Sequence, residues 1–393
     1  MTPDEKILIV DGARTPTGSF GGAFKDVSGH ELGAAASKSA LARSGVDGAD
    51  IDEVIMGCVG QVGADAYNAR RVALAAGLPD SVPAYTVNRL CGSGLQAIWS
   101  AAMQMRWGGV DLALAGGNEN MTRMPFYDFG ARSGYKLGDR SLSDGTVMIL
   151  TDPFHGIHMG RTAENVARKY GVSRQEQDEF AMESQRRAAS DAASAAFAEE
   201  IVPFDVGGRK PHTVAVDEHP KPGTTMEILS GLRPAFEKDG TVTAGNSSGI
   251  NDGGAAVVVA RESVAKERGL KGLVTLEAVA TAAMEPELMG YAPVLAIKKL
   301  LAMTEKTVAD IDTIELNEAF AAQAVAVIRD AGLDPAKTNP YGGAIALGHP
   351  VGATGAILSL RVAKDLVRRD LEFGIVSMCI GGGQALAALF RRY

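Results

Sequence analysis

The chain repeats itself, and this constrains its fold more than any other feature. Residues 41–52 read LARSGVDGADID and residues 301–312 read LAMTEKTVADID, an offset of 260. Leu41 and Leu301 coincide, as do Asp50-Ile51-Asp52 and Asp310-Ile311-Asp312. A short apolar run follows each stretch, Val54-Ile55-Met56 and Ile314-Glu315-Leu316, and a helix-like stretch precedes each, over 31–42 and 291–302. Further on, Gly94-Leu95-Gln96-Ala97-Ile98 answers Gly355-Ala356-Ile357-Leu358. Strand-like runs ending in glycine then appear in both halves, over 111–117 and 373–383. A chain that repeats one order of elements is expected to fold as two copies of one unit. Strands alternate with helices in each copy, which predicts an α/β fold with a mostly parallel sheet covered on both faces. Ligand sites in such sheets form at the carboxyl ends of strands, so the strand–glycine–helix junctions should hold the chemistry.

The halves differ in one respect. In the second, a further strand, Ala385-Leu386-Ala387-Ala388-Leu389-Phe390, follows at once. In the first, its counterpart Gly253-Gly254-Ala255-Ala256-Val257 lies more than a hundred residues downstream. The predicted organisation is therefore an N-terminal half over 1–118 plus 250–270, an insertion over 119–249, and a C-terminal half over 271–393. Within the insertion the pattern predicts helices over 161–169 and 173–197, the latter opened by Ser173-Arg174-Gln175-Glu176, a capping-box sequence. Residues 203–234 are rich in Pro, Gly and charge and read as an irregular, ligand-facing loop.

Composition narrows the function. With 39 Lys+Arg against 47 Asp+Glu the net charge is −8, and 46% of residues are hydrophobic. That suits a globular core and argues against a disordered chain or a nucleic-acid binder, which needs excess Lys and Arg. No apolar stretch approaches the roughly 20 residues that span a bilayer. The start shows no basic-then-apolar leader, and Phe390-Arg391-Arg392-Tyr393 is not a targeting signal, so the cytoplasm is the expected location. Three cysteines, Cys58, Cys91 and Cys379, cannot form a disulfide framework and fit a reducing compartment.

The junctions carry the candidate chemistry. Cys91, in Asn88-Arg89-Leu90-Cys91-Gly92-Ser93-Gly94, stands where a strand-like run yields to a helix. A helix N-terminus stabilises a thiolate, and small neighbours leave room for a carbonyl and put N–H groups near its oxygen. A buried, inert thiol is the alternative. His349, between Gly348 and Pro350, occupies the equivalent place in the second half. An uncrowded imidazole there would suit proton abstraction from a thiol, the alternative being a structural histidine. Cys379, before Ile380-Gly381-Gly382-Gly383, reads equally as a second acid–base thiol or as core filling. In Leu316-Asn317-Glu318-Ala319-Phe320, Asn317 reads as a polarising group or a helix N-cap, and Glu318 as a group that orients a histidine. His155 and His158 lack a third metal ligand, Cys58 reads as packed, and neither a phosphate-binding loop nor a strand–GxGxxG–helix unit occurs.

The four motifs around Cys91, Asn317, His349 and Cys379, in this order and spacing, resemble those of the thiolase family over essentially the whole chain. The resemblance implies two duplicated βαβαβαββ halves packed as α-β-α-β-α layers, with an inserted loop domain. It implies Cys91 as the nucleophile that takes an acyl group from a coenzyme A thioester, with His349 deprotonating it. Asn317 would hold a water, and Cys379 would move the α-proton. N–H groups of Cys91 and Gly381 would form an oxyanion hole. Gly156-Ile157-His158-Met159-Gly160 is similar to the short-chain, acetoacetyl-CoA-forming members. On that resemblance Leu150, His158, Met159, Phe236, Met289, Ala319 and Phe320 line the acyl and pantetheine pocket, Ser248 meets the pantetheine, and Lys221 meets the nucleotide. Residues 130–144 look more like the broader 3-ketoacyl-CoA thiolases, which keeps that activity as an alternative; a non-catalytic carrier of lipid or CoA is the alternative from another class. No cofactor or metal is implied, since the CoA thioester is itself the substrate. A homodimer or homotetramer assembled through the insertion is implied as well.

Overall fold

The computed structural model describes residues 5–393. The first half runs β1 (Ile7–Arg14), α1 (Gly29–Ser44), β2 (Glu53–Gly57), α2 (Asn68–Ala75), β3 (Ala84–Val87), α3 (Ser93–Trp107) and β4 (Leu112–Asn120). The main insertion helices are α4 (Met159–Tyr170), α5 (Arg174–Ala188) and α6 (Asp191–Glu200), after which β5 (Asn251–Arg261) completes the first unit. The second half runs β6 (Val274–Ala283), α7 (Ala292–Met303), β7 (Thr313–Leu316), α8 (Ala321–Ala331), α9 (Thr354–Arg368), β8 (Phe373–Ile380) and β9 (Gln384–Arg392).

Strand order is β3-β2-β4-β5-β1 in the first half and β7-β8-β9-β6 in the second. A parallel bridge from Thr338 to Ile314 stands where the first half has β3. The duplication therefore extends to sheet topology. The mostly parallel sheet expected from the alternation is corrected. Only β2–β3, β2–β4 and β7–β8 pair in parallel, while β1–β5, β4–β5, β6–β9, β8–β9 and β1–β6 are antiparallel. Each unit ends in two successive strands, and its first strand pairs with its last, so antiparallel neighbours outnumber the parallel ones.

Five layers follow from which faces are apolar. In β1, Leu8 and Val10 join the core beneath α1 and α2, whereas Ile7 and Ile9 join the core around α3 and α9. Successive strand side chains point to opposite faces, so a strand buried on both faces is a continuous apolar run. A third core packs α7 and α8 on the strands of the second half, which continue the sheet of the first through the β1–β6 pairing. The central pair α3 and α9 approach until main chain meets main chain. A Cβ added at Gly355 would lie 2.2 Å from the Leu95 nitrogen, and one at Gly94 would lie 2.7 Å from the Ala356 nitrogen.

β4 and β5 pair from Asp252 opposite Asn120 to Ala260 opposite Leu112, so the chain leaves the sheet at one strand end and returns beside it. The helix expected over 173–197 is two helices: Ser173 caps α5 as predicted, and Ser190 caps α6, its hydroxyl accepting from the Ala193 N–H at 3.1 Å. Residues 203–234 are not wholly irregular; they hold a hairpin (Phe204–Val206 with His212–Val214) and one helical turn. Asp217 in that stretch binds Arg14 through two hydrogen bonds, of 2.7 and 3.0 Å. Glu200 of α6 takes Arg14 at 2.8 Å and Arg361 of α9 at 3.2 Å. This buried ionic cluster joins the insertion to both halves. Such clusters act by fixing geometry more than by adding net stability. No described helix is long and apolar enough to cross a membrane.

Candidate active site

Between β3 and α3 the chain makes a tight turn with Leu90 in the left-handed region, at φ 47°. A non-glycine residue there costs about 1 kcal/mol or more and persists only where its surroundings impose it. Here they do. The Leu90 N–H donates to Asn88 Oδ1 at 2.9 Å, the Arg89 N–H donates to Ser93 Oγ at 2.9 Å, and Ser93 Oγ donates to the Leu90 carbonyl at 2.6 Å. The turn sets Cys91 just ahead of α3, partly exposed, with its own N–H and that of Gly381 hydrogen-bonding the thiol. Gly381 begins the turn from β8 to β9. A Cβ at Gly383, two residues on, would lie 2.2 Å from the Met284 carbonyl, so that position admits no side chain.

His349 lies in the loop before α9 and is only 5% exposed. The expectation of an uncrowded imidazole is corrected: the ring is packed and its orientation is fixed. Its Nδ1 is 2.7 Å from Thr354 Oγ1, and that hydroxyl donates to the Pro350 carbonyl at 3.0 Å. With its one hydrogen committed, Thr354 accepts from Nδ1–H, which leaves Nε2 as the acceptor nitrogen of the ring. Nε2 is 3.4 Å from Asn317 Nδ2. Asn317 is not a helix cap, since α8 starts four residues later. Glu318 does not touch the histidine. It takes Ser184 Oγ and Asn339 Nδ2, each at 2.7 Å, and the Ile345 N–H at 3.2 Å, and so anchors the loop instead.

The electrostatics differ from the stabilised thiolate expected at a helix start. Burial pushes the Cys91 thiol up to about 11, although the two N–H groups oppose it. Burial also raises Cys379, which Cys91 raises further, and lowers His349 to about 4. Desolvation of a charged form outweighs two hydrogen bonds, so the substrate-free pair is a neutral thiol and a neutral imidazole. The sign gives a prediction. Thiolate grows about tenfold per pH unit below its pKa. Alkylation of Cys91 by iodoacetamide should therefore keep rising from about pH 7 to about pH 10. A plateau reached by neutral pH would show a preformed ion pair instead.

The predicted pocket residues largely converge. Cys379 packs in one apolar cluster with Met159, Met289, Ala319 and Phe320, and Leu150 and Phe236 pack against its rim. His158 stacks on Phe236 at 4.9 Å, and Phe236 meets Phe320 edge-on at 6.1 Å. The Ser248 N–H donates to the Ala319 carbonyl at 3.0 Å, which places Ser248 beside the cluster. Lys221 is not in it; the residue is exposed and its N–H binds Gln185. His155 pairs with Asp152, apart from His158. Cys58 is buried, 3.9 Å from Glu119 Oε1.

Three contributors had no distinguishing signal in the sequence. Thr354 orients the imidazole. Asn251 Oδ1 accepts the His349 N–H at 2.9 Å. Glu119, at the end of β4, accepts N–H groups of Val59, Gly60 and Gly352 at 3.1, 2.7 and 3.0 Å, and burial raises its carboxyl to about 7. Thr354 and Asn251 stand close to the Gly348-His349-Pro350 and Asn246-Ser247-Ser248-Gly249 stretches, whereas Glu119 stands beside neither.

Two thiols, an imidazole with one acceptor nitrogen and main-chain N–H groups at Cys91 form a candidate site for acyl transfer through a cysteine. Comparison with known proteins agrees. The family profile described as Thiolase, N-terminal domain matches residues 7–263, and that described as Thiolase, C-terminal domain matches 270–392. The beta-ketothiolase BktB of Cupriavidus necator is 48% identical over 98% of this chain and 99% of its own. A probable acetyl-CoA acyltransferase of Staphylococcus aureus is 47% identical over 99% of each. Among solved structures, the Bacillus anthracis acetyl-CoA acetyltransferase superposes with a TM-score of 0.97 at 42% identity, covering 99% of each chain. Human mitochondrial 3-ketoacyl-CoA thiolase in complex with CoA superposes at 0.96 and 41%, covering 99% of this chain and 98% of that one. The chain belongs to the thiolase family and is an acyltransferase of that class.

Proposed function

We propose that the protein is an acetyl-CoA C-acetyltransferase, interconverting two acetyl-CoA with acetoacetyl-CoA and CoA through an acetyl-Cys91 intermediate. Cys91 Sγ attacks the thioester carbonyl while His349 Nε2 takes the thiol proton. The oxyanion forms at the N–H groups of Cys91 and Gly381, which already converge on this sulfur; donors aimed at developing charge are the largest catalytic contribution in most enzymes. The departing CoA thiolate takes the Cys379 proton. Cys379, now a thiolate, removes the α-proton of the second acetyl-CoA. The enolate oxygen accepts from protonated His349 and from a water held by Asn317, whose buried Oδ1 has no protein partner. The enolate carbon bonds to the acetyl carbon and Cys91 leaves, recovering its proton from His349. Both cysteines are then thiols again. A relative bound to CoA at this level of similarity supports a CoA thioester as the ligand.

The observation that carries the short acyl range is the apolar cluster of Met159, Met289 and Phe320 closed around Cys379. Extra methylenes in a packed pocket cost about 1–3 kcal/mol. Thiolysis of 3-ketodecanoyl-CoA should therefore be at least about tenfold less efficient in kcat/KM than that of acetoacetyl-CoA. Comparable efficiencies would establish the broader 3-ketoacyl-CoA thiolase. One observation favours that second reading: Phe154 stands in the turn of a two-residue-strand hairpin that directly follows Leu150 at the pocket rim, and Phe154 is exposed.

A further inference from the structure

The insertion reaches the His349 loop at three side chains: Ser184 Oγ accepts the Gly343 N–H at 3.0 Å, Gln185 Nε2 donates to the Ile345 carbonyl at 3.3 Å, and His219 meets Asn251, which holds His349. Asn251 lies between them, fully buried. Its amide orientation is unambiguous. Oδ1 accepts the His349 N–H at 2.9 Å, and Nδ2 donates to the Gly18 carbonyl at 2.9 Å. The second Nδ2 hydrogen faces His219 Nδ1 at 3.4 Å. Nδ1 must therefore accept, which puts the ring hydrogen on Nε2, on the side of the Ile345 carbonyl four residues before His349, a carbonyl that Gln185 Nε2 also reaches at 3.3 Å. The imidazole thus supports the loop through Asn251, and beside Ile345 it joins Gln185 and Glu318, which also hold that residue.

The packing leaves no slack. A Cβ at Gly249 would lie 2.3 Å from His219 Cε1, and one at Gly348, whose φ is +90°, would lie 2.6 Å from Asn251 Cγ. The His219 backbone is held too. Asp217 takes Arg14 and the Thr17 N–H, the latter at 2.8 Å, and Glu218 takes the N–H groups of Ser19 at 2.9 Å and Ala23 at 3.1 Å. Residues 217–219 therefore form a strap tied to the first half, with His219 as its contact on the second.

We infer that His219 is a positioning residue, which fixes the His349 main chain through Asn251 and Ile345 so that Nε2 stays aimed at Cys91. This rests on His349 acting as the base for Cys91. Misplacing a catalytic group by about 1 Å costs up to about a hundredfold in rate, while the substrate contacts would be unaffected.

The test compares His219→Phe, which fills the space without polar atoms, with His219→Gln, which can still accept and donate. Formation of the acetyl adduct on Cys91 from acetyl-CoA is followed by intact-protein mass spectrometry in single turnover, alongside steady-state kinetics. His219→Phe should lower adduct formation and kcat by about tenfold or more. KM should stay within about twofold, and His219→Gln should recover most of the loss. Should the Phe variant fail to fold, His219→Met against His219→Gln makes the same comparison. Equal rates in the apolar and Gln variants would overturn the proposal, as would a rise in KM at unchanged kcat, which would make His219 a substrate contact. If the unaltered protein forms no adduct on Cys91, the acyl-transfer reading itself fails, a distinguishable result.

Discussion

Cys91→Ser should lower acetoacetyl-CoA formation and thiolysis by about 10⁴-fold or more, with the fold intact. The substitution removes no packing volume of consequence, since Cys91 is partly exposed at the head of α3. It changes the acid. The site already pushes the thiol up to about 11, and a hydroxyl starts several units higher. His349, lowered to about 4, is a weak base for such a group. The control is Cys379→Ser. That variant should still accumulate the acetyl adduct on Cys91 but fail to condense, because enolate formation needs the second thiol. Adduct mass and product formation, measured on both variants, separate the two roles. Full condensing activity in Cys91→Ser would remove Cys91 from the mechanism.

Gly355→Ala is the substitution expected to do most damage to the fold. Its Cβ would fall 2.2 Å from the Leu95 nitrogen and 3.0 Å from the Leu95 Cα, main-chain atoms of the facing helix. No side-chain rotation relieves that contact; α3 and α9 must separate. The fully buried Ile98, Ala356 and Leu360 belong to the core these helices share with the strands of both halves. Overpacking a closed core costs about 1–3 kcal/mol and more when backbone must move. A marked loss of soluble protein or of thermal stability is therefore expected. Gly109→Ala is the reference, because a Cβ there has nothing within 4 Å; its effect should stay within about 0.5 kcal/mol. Equal thermal unfolding midpoints for the two variants would show that the helices are not in main-chain contact.

Much of the protein was legible before any coordinates. Residues 41–52 against 301–312, each followed by a strand-like run, revealed the duplication, because strand and helix periodicities are local. The motif residues around Cys91, His349 and Cys379 identified the family and the α/β fold. Boundaries carried by local chemistry also held: Ser173 and Glu176 form the capping box they promise. The break at Ala189–Ser190 was missed because residues 173–197 keep high helix propensity throughout. Strand direction was missed because alternation alone does not say which strands become neighbours.

By itself the amino-acid sequence determined the family, the repeated unit and the short list of reactive side chains, since these depend on residue type and order. Only the tertiary structure decided their state. That Cys91 and His349 rest neutral follows from burial, which no local pattern reports. That Thr354, not Glu318, orients the imidazole, and that His219 and Asn251 hold its loop, follows from contacts of folded space, the latter two joining residues 32 and 98 positions apart. Desolvation and long-range hydrogen bonds are properties of assembled space, and they set what a listed residue can do.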